Sequence, residues 1–406
     1  MKGETMTATE ELRMPVARTC PFSQPEQYVR MREASALTRV QIPGGKEAWV
    51  ASRHEEARQI LGDRRFSSDR FLPNFPFLAE GGAAILTNAK QKAMIGMDAP
   101  EHGEARREVL GEFTVKRVEA MRPRIQEIVD GLIDELLAGP KPADLVEKLS
   151  LPVPSLVICE LLGVPYADHD YFQQRTMALI RRSTTVEDRK KASEELREYL
   201  SGLVSAKEKD PTDDLLGRQI VKRRDQGNYD HDAMIGLAFL LLVAGHETTA
   251  NMISLGTIGL LENPGQRATI EADPGKTLLA VEELLRYFTI VEGATARVAT
   301  EDVEIGGVTI KAGEGVLVLG YAANWDPDVF ESPEKLDLER GARHHVAFGF
   351  GPHQCLGQNL ARMELQIVFD TLFRRVPTLK SVLPVDEIPV KEDATIFGLY
   401  QLPVTW

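Results

Sequence analysis

The chain has 406 residues but only three cysteines, Cys20, Cys159 and Cys355. None of them has a second cysteine at the short spacing typical of a metal-binding pair, and so few cysteines do not make a disulfide framework. This scarcity is typical of a reducing compartment, and we expect the protein in the cytoplasm.

Long hydrophobic runs are absent as well. Residues 1–15 are polar and acidic and lack the apolar core of a signal peptide. The most apolar run, residues 234–245, stops at His246 and Glu247 and is too short to cross a bilayer. We therefore expect a soluble protein without a membrane anchor.

An excess of basic charge is also lacking, since 48 lysines and arginines face 61 aspartates and glutamates. The formal net charge of −13 disfavours nucleic acid as a partner, because phosphate binding needs a basic surface. An anionic partner would need a local basic patch, for which the candidates are Arg106–Arg107 with Lys116–Arg117, and Arg362. The usual alternative for such charges is a solvated face.

What the chain does contain is material for a large core, with 43% hydrophobic and 27% charged residues. No biased linker, repeat or low-complexity run divides it, and the motifs described below spread from residue 102 to residue 357. We expect residues 1–406 to form a single domain, with residues 1–20 as a flexible N-terminal segment.

Periodicity predicts a mainly α protein with a minor β part. Two β-rich runs around Pro43, Gly44 and Gly45 predict a hairpin, and a second β cluster spans residues 303–319. Apolar residues at helical spacing predict helices over residues 117–137, 187–207, 232–262 and 357–375. Residues 67–95 are rich in proline and glycine and predict a long loop, a feature that is often functional.

The most informative motif is the run Phe-Gly-Phe-Gly-Pro-His-Gln-Cys-Leu-Gly at residues 348–357. Glycines allow a close backbone approach, and backbone amides with the following helix N-terminus favour a thiolate on Cys355. A lone cysteine is more often a small buried hydrophobe, as we expect for Cys159. The run nevertheless resembles the haem-binding loop of the cytochromes P-450, which implies that Cys355 is the thiolate ligand of the iron of haem b.

A second motif, Ala-Gly-His-Glu-Thr-Thr at residues 244–249, lies inside the long apolar helix. Threonine hydroxyls bond the carbonyl one turn back and bend a helix, which leaves room for a small gas and a water. Residues 246–249 begin like the zinc-protease pattern HExxH, but Ala250 replaces the second histidine. The P-450 resemblance implies that Thr248 and Glu247 are the alcohol and the acid that pass protons to the oxygen substrate.

A third motif is Glu283-Leu284-Leu285-Arg286, whose spacing puts both charges on one helix face. Alone it is weak, because such pairs on solvated helices contribute under about 1 kcal/mol. In the P-450 family this segment joins a later arginine in a buried network that holds the cysteine loop. The resemblance implies that Glu283, Arg286 and Arg340 have this structural role, although many relatives carry the arginine nearer Lys335.

A fourth motif joins His102 and Arg106, which share a helix face after Pro100. They suit a pair of carboxylates, and arginine binds a carboxylate through a planar fork. The resemblance implies that His102, Arg106, Arg297 and His353 bind the haem propionates. One departure from the family pattern is Trp325, which stands where an arginine is common.

The resemblance covers nearly the whole chain and implies the P-450 fold, with a long central helix over the haem and the cysteine loop on the opposite face. It implies a monooxygenase that uses O2 to hydroxylate a bulky hydrophobic molecule of the polyketide, statin-precursor, macrolide or secosteroid class. The candidate pocket residues are Phe71, Ile95, Leu241, Ala244, Ile290, Val291, Ile396 and Phe397.

The source of electrons is predicted from another absence. No Gly-x-Gly-x-x-Gly fingerprint follows a strand, since Gly349-Phe350-Gly351 leads into Pro352. We therefore expect electrons from a separate protein. The P-450 resemblance implies a ferredoxin with its ferredoxin reductase, for which Arg107, Lys116 and Arg117 are the candidate docking patch. Two alternatives are a haem-based gas-binding or sensor protein without turnover, which has no use for Glu247 and Thr248, and a peroxide-driven haem-thiolate enzyme.

Overall fold

A computed structural model describes residues 12–80, 82, 92–292 and 295–406. The expected mainly α architecture is confirmed. The α-helices in the described part are α1 (Glu26–Ala34), α2 (His54–Gly62), α3 (Glu101–Leu110), α4 (Val115–Ala138), α5 (Pro152–Leu162), α6 (His169–Ile180), α7 (Val186–Lys209), α8 (Leu215–Asp225), α9 (His231–Gly245), α10 (Glu247–Glu262), α11 (Pro264–Ala272), α12 (Thr277–Phe288), α13 (Gly320–Ala323) and α14 (Gln358–Arg375).

The minor β part consists of short strands in three sheets. The strands are β1 (Leu37–Ile42), β2 (Lys46–Ala51), β3 (Phe66–Ser67), β4 (Ala143–Asp144), β5 (Arg297–Ala299), β6 (Val303–Ile305), β7 (Val308–Ile310), β8 (Gly315–Val318), β9 (Lys380–Ser381) and β10 (Pro403–Thr405). The largest sheet has the order β1-β2-β8-β5-β3, with β2 parallel to β8 and the other pairs antiparallel.

The predicted hairpin is β1–β2, which pairs Leu37 with Ala51 and Ile42 with Lys46. Its turn contains Gly44 and Gly45 with φ values of 82° and 69°, a left-handed conformation that glycine adopts without steric cost. The predicted β cluster at 303–319 corresponds to β6, β7 and β8. Of the predicted loop over residues 67–95, residues 81 and 83–91 lie outside the described part.

One large hydrophobic core extends through the helical part, from Met14 near the start to Val404 near the end. Cys159, buried with 3% exposure, is part of it, as expected. Helix α10 packs against α14, and an added Cβ at Gly256 would lie 2.4 Å from the Phe369 ring. This close packing fixes the helix that follows the cysteine loop against the central helix.

The predicted helix over residues 232–262 is interrupted at His246, which separates α9 from α10. Taken together, His231–Glu262 is long and apolar enough to cross a membrane by length and composition. However, 61% of its most apolar window is buried inside the protein, as in the core helix of a soluble protein.

Candidate functional site

The cysteine loop folds back on itself immediately before α14. The Cys355 N–H donates to the Phe348 carbonyl at 2.8 Å, and Gly351 has a φ of 72°. A Cβ at Gly351 would lie 2.6 Å from the Leu61 carbonyl oxygen, so only glycine lets the loop approach α2 this closely. The loop therefore holds Cys355 in one position.

The exposed surface of Cys355 opens into an internal cavity of ≈ 540 Å³. Burial raises the pKa of the Cys355 thiol, while the Gly357 N–H and the guanidinium groups of Arg106 and Arg362 lower it. Without a metal the sulfur is therefore held as a neutral thiol. A coordinated metal deprotonates such a thiol outright.

The helix interruption at His246 faces the same cavity. Ala244 is exposed in the middle of the apolar helix, and Ala244, Gly245 and Thr248 all line the cavity. The Thr248 hydroxyl donates to the Ala244 carbonyl at 2.8 Å, so its oxygen still has lone pairs for a hydrogen bond from the cavity. The predicted bend and the small-residue opening are thus present in the structure.

Glu247 points away from this opening and is absent from the described cavity lining. Its side chain is 1% exposed, and its Oε2 accepts from Lys391 Nζ at 3.1 Å and from Asn251 Nδ2 at 3.1 Å. Sequence analysis missed both partners. Lys391 lies in a polar segment more than a hundred residues away, and nothing local in the sequence marks it.

Positive side chains cluster at one edge of the cavity. The His102 and His353 rings stack with centroids 3.8 Å apart, and Arg106 Nη2 donates to the Gln354 carbonyl at 2.7 Å. Burial, followed by the charge of Arg297, lowers the pKa of His353 to about 3. Burial and the nearby Arg70 lower the pKa of Arg297 to about 10.

Within the described residues no carboxylate forms an ion pair with the arginines of this cluster, although the Asp98 carboxylate acts on both His102 and Arg297. Neither Arg106 nor Arg297 forms an ion pair with a described carboxylate, and Arg297 Nη1 donates only to the neighbouring Ala296 carbonyl at 2.8 Å. Buried cations are costly unless a charge partner accompanies them. The cluster, which includes the unpredicted Arg70, therefore fits a ligand that carries carboxylates.

Glu283, Arg286 and Arg340 meet in the buried network that the motifs predicted. Arg286 donates to both Glu283 carboxylate oxygens at 2.8 Å, and Arg340 Nε lies 3.1 Å from Glu283 Oε1. Glu283 and Arg286 are both 0% exposed. Lys335 contributes its carbonyl oxygen, which accepts from Arg340 Nη2 at 3.1 Å, and not its ammonium group.

Asn324 connects this network to the cysteine loop. Its carbonyl accepts from Arg286 at 2.8 Å, and its side-chain oxygen accepts from the Val346 N–H at 2.8 Å. The next residue, Trp325, is buried, and its indole N–H donates to the Tyr287 carbonyl at 2.9 Å. The tryptophan thus serves as a packed anchor between α12 and α13.

Comparison with known proteins agrees with this geometry. A family model described as Cytochrome P450 matches residues 277–394. Pentalenic acid synthase of Streptomyces avermitilis is 50% identical over 392 residues, which cover 97% of this chain and 96% of that protein. Vitamin D3 dihydroxylase of Streptomyces griseolus is 46% identical over 403 residues, covering 99% and 98%.

Among solved structures, cytochrome P450 MoxA from Nonomuraea recticatena superposes with a TM-score of 0.90 at 59% identity, covering 97% of this chain and 98% of that one. The chain belongs to the cytochrome P450 family. It has the P450 fold, uses haem b and is an oxygen-incorporating oxidoreductase. A gas-binding protein without turnover, the alternative left open by the sequence, is not supported by these relatives.

The residues present fit haem. A P450 needs one sulfur ligand on a cavity and cations for two propionates, and here Cys355 opens into the cavity whose edge carries Arg106 and Arg297. Among the described residues there is no group of three or more histidine, cysteine or acidic side chains that could hold a separate metal ion.

The predicted substrate-pocket residues divide into two sets. Seven of the eight line the cavity of this P450, namely Phe71, Ile95, Leu241, Ala244, Ile290, Val291 and Ile396. Phe397 does not line it, because the extended segment alternates its side chains and the Phe397 ring packs on the Arg18 guanidinium at 3.9 Å. The structure thus places Phe397 outside the described cavity lining.

A buried acid, Glu364, also lines the cavity from α14 and was missed by the sequence analysis. Its Oε2 atom has no hydrogen-bond partner among the described residues, and burial raises its pKa to about 8. A signal was present, because Leu360, Ile367 and Val368 share its helix face and are buried. A glutamate within this apolar helix face indicates a carboxyl group that burial keeps protonated and uncharged.

Glu364 gives a prediction about pH. Its folded-state pKa lies above the unfolded value near 4.5, so its protonated form stabilises the protein below that pH. This contribution is lost as the pH rises through about 8. We expect the free energy of unfolding of the wild type to decrease by an amount on the order of 2–4 kcal/mol between pH 5 and 9 because of Glu364. Glu364→Gln should lack this decrease.

Denaturant unfolding at several pH values in that range measures this effect. The exposed Glu301→Gln serves as the control and should follow the wild-type curve. Parallel curves for wild type and Glu364→Gln would show that the Glu364 carboxyl is not held neutral.

Proposed function

We propose that this P450 hydroxylates a bulky hydrophobic small molecule, with Cys355 as the thiolate ligand of the haem iron. The observation that carries the proposal is the placement of Cys355 and Thr248 on one apolar cavity. When bound, haem supplies the activation of O2 and the insertion of one oxygen atom into a C–H bond. The remaining tasks fall to side chains of this chain.

The first task is to hold the cofactor. We assign the propionates to His102, Arg106, Arg297 and His353, because these side chains lie together at the cavity edge and neither arginine has an ion-paired carboxylate among the described residues. Arginine provides a planar fork of donors for a carboxylate. Burial and the charge of Arg297 lower the pKa of His353, so the arginines are the main positive charges of the cluster.

The second task is to deliver protons. The Thr248 hydroxyl lies at the helix opening and is fixed by its bond to the Ala244 carbonyl. From there it holds a water or passes a proton into the cavity, and Glu247 in the preceding position is the acid that supplies it. Such general-acid help is typically worth about 10²–10⁴-fold in rate.

The third task is to bind the substrate, and the apolar lining supports a hydrophobic one. Ile95, Leu241, Ile290, Val291 and Ile396 surround the cavity. The relatives include a vitamin D3 dihydroxylase, a pentalenic acid synthase and a 20-oxo-5-O-mycaminosyltylactone 23-monooxygenase. We infer a substrate of the polyketide, macrolide, statin-precursor or secosteroid class for this chain.

Electrons would come from a separate ferredoxin with its reductase in the cytoplasm. Arg107, Lys116 and Arg117 all have exposed side chains, which supports a docking patch for an acidic protein. Complementary charge mainly raises the encounter rate and is screened by salt. Turnover with a ferredoxin should therefore slow as ionic strength rises.

A panel of bulky apolar compounds tests the substrate class. Ligands that displace water from the iron should shift the Soret band of the purified protein, and the tightest should be hydroxylated when a ferredoxin, its reductase and O2 are supplied. If secosteroids, macrolides and statin precursors all left the band unmoved, the proposed substrate class would be wrong.

Replacing Thr248 with alanine should uncouple electron use from product. Because the cavity loses its hydroxyl, we expect product per electron pair to fall by about tenfold or more, a modest part of a typical general-acid effect. The dissociation constant of the substrate, read from the Soret shift, should change little. Product and reductant are measured together under saturating substrate.

Thr257→Ala is the matched control. Thr257 lies on the same helix, is buried, and is absent from the described cavity lining. It makes the same chemical change without touching the opening at residue 248. Full coupling in Thr248→Ala, or equal uncoupling in both variants, would reject the proton-delivery assignment.

A further inference from the structure

The buried contact between Glu247 and Lys391 joins two regions that the proposed function treats separately. Lys391 is 2% exposed, and its ammonium group donates to Glu247 Oε2 at 3.1 Å and to Asn251 Oδ1 at 3.0 Å. Asn251 in turn donates to the same Glu247 oxygen, so the three side chains form a closed triangle. A buried ion pair is stable when its remaining hydrogen bonds are satisfied in this way.

Lys391 belongs to a hairpin that forms one wall of the cavity. Its N–H donates to the Gly398 carbonyl at 2.8 Å, and Val390 pairs with Leu399. Between these residues, Ile396 lines the cavity and pairs with Val291. We call residues 390–399 the C-terminal hairpin. Ile396, which lines the cavity, is thus only five positions along the chain from Lys391, which binds Glu247.

The hairpin and α10 are in close contact at this point. A Cβ at Gly398 would lie 1.8 Å from Asn251 Oδ1, so glycine is required for the hairpin to reach the helix. The Lys391 ammonium is therefore held against α10 by the same contact that seats the hairpin on the helix. His246, the other titratable side chain at the pair, is fully buried, and burial lowers its pKa so that it stays neutral.

We propose that Lys391 is a positioning residue that holds the Glu247 carboxylate away from the cavity and couples its release to the C-terminal hairpin. A ligand that presses on Ile396 shifts the hairpin, weakens the Lys391 contact and lets Glu247 turn toward Thr248. Proton delivery is then available when the cavity is filled and restrained when it is empty. This inference rests on the proposed role of Glu247.

The first test compares reductant consumption without substrate in wild type, Lys391→Met, Lys391→Arg, Glu247→Gln and the Glu247→Gln/Lys391→Met double variant. In this side reaction two electrons and two protons reduce O2 to hydrogen peroxide. We expect Lys391→Met to raise consumption several-fold and Lys391→Arg to restore it near wild type. The double variant should match Glu247→Gln alone, because Lys391 acts only through Glu247.

Lys380→Met is the control, since Lys380 is exposed on β9 and loses the same charge. A purely structural role for Lys391 would lower the unfolding temperature without this pattern of rescue and non-additivity. If the effects of the two single changes on reductant consumption were additive in the double variant, or if Lys391→Met did not raise consumption, the inference would be wrong. The proposed role of Glu247 would then still stand. An unchanged Glu247→Gln would instead overturn the proton-delivery role of Glu247 and the inference with it.

The second test needs no turnover. Hydrogen–deuterium exchange is measured on the haem-loaded protein with and without phenylimidazole, an azole used as a probe of the cavity. In wild type we expect changed exchange in both the C-terminal hairpin and residues 247–251. In Lys391→Met the hairpin should still respond while residues 247–251 do not. An equal response of the helix in both proteins would contradict the coupling.

Discussion

Replacing Cys355 with serine is expected to abolish the red-shifted absorption of the reduced carbon monoxide complex, together with substrate hydroxylation. Sulfur donates more electron density to iron than a hydroxyl does, and this donation supports O–O cleavage. Loss of an outer-shell partner already costs about 10- to 100-fold in metal affinity or activity, so loss of the ligand itself should cost more. The visible spectrum and product formation measure the two effects.

Cys20→Ser is the control for this change. Cys20 is partly exposed, lies near the start of the chain and is absent from the described cavity lining. Its variant should retain the wild-type spectrum and turnover. A normal red-shifted band in Cys355→Ser would mean that another side chain ligates the iron, and the assignment of the cysteine loop would fail.

Replacing Glu283 with glutamine should strongly destabilise the protein. Arg286, fully buried, and Arg340 would lose the carboxylate that both contact. Removing one partner of a buried ion pair typically costs about 3–5 kcal/mol, because the remaining charge is left uncompensated. Denaturant unfolding measures the loss, and haem content should fall too, since Asn324 links Arg286 to the cysteine loop.

The chain supplies a matched control with the same sequence spacing. Glu119 and Arg122 also form a Glu-x-x-Arg pair, with Nε 2.8 Å from Oε2, but their side chains are 51% and 39% exposed. Because solvent screens such a pair, Glu119→Gln should cost at most about 1 kcal/mol. Equal losses in Glu119→Gln and Glu283→Gln would show that the Glu283 network is not a special support of the loop.

The fold and much of the site could be predicted because their signals are local. The β1–β2 hairpin follows from its Pro-Gly-Gly turn, and the long helices follow from apolar spacing. Likewise, Glu283 and Arg286 contact each other because residues three positions apart lie on the same face of a helix. The glycines around Cys355 have a local role too, since the loop closes through the Phe348 carbonyl only seven residues away.

Other features depend on which distant segments pack together. Glu247 was expected to pass protons together with Thr248, but Lys391 on the C-terminal hairpin and Asn251 on α10 hold its carboxylate away from the cavity. In the same way, the Phe397 ring does not face the cavity. It packs against the guanidinium of Arg18, nearly four hundred residues earlier in the chain, at 3.9 Å from the ring centroid. Asn251 lies one helix turn from Glu247, but neither Lys391 nor Arg18 is marked by a local sequence signal.

The sequence by itself therefore determined the family, the cysteine on its glycine-framed loop, the interrupted central helix and the Glu283–Arg286 pair. Each of these depends on residues that are close together in the sequence. Only the tertiary structure decided the direction of Glu247, the neutral state of Glu364 and the inclusion of Arg70 in the positive cluster. The physical reason is that side-chain direction, desolvation and charge balance depend on neighbours brought together by folding.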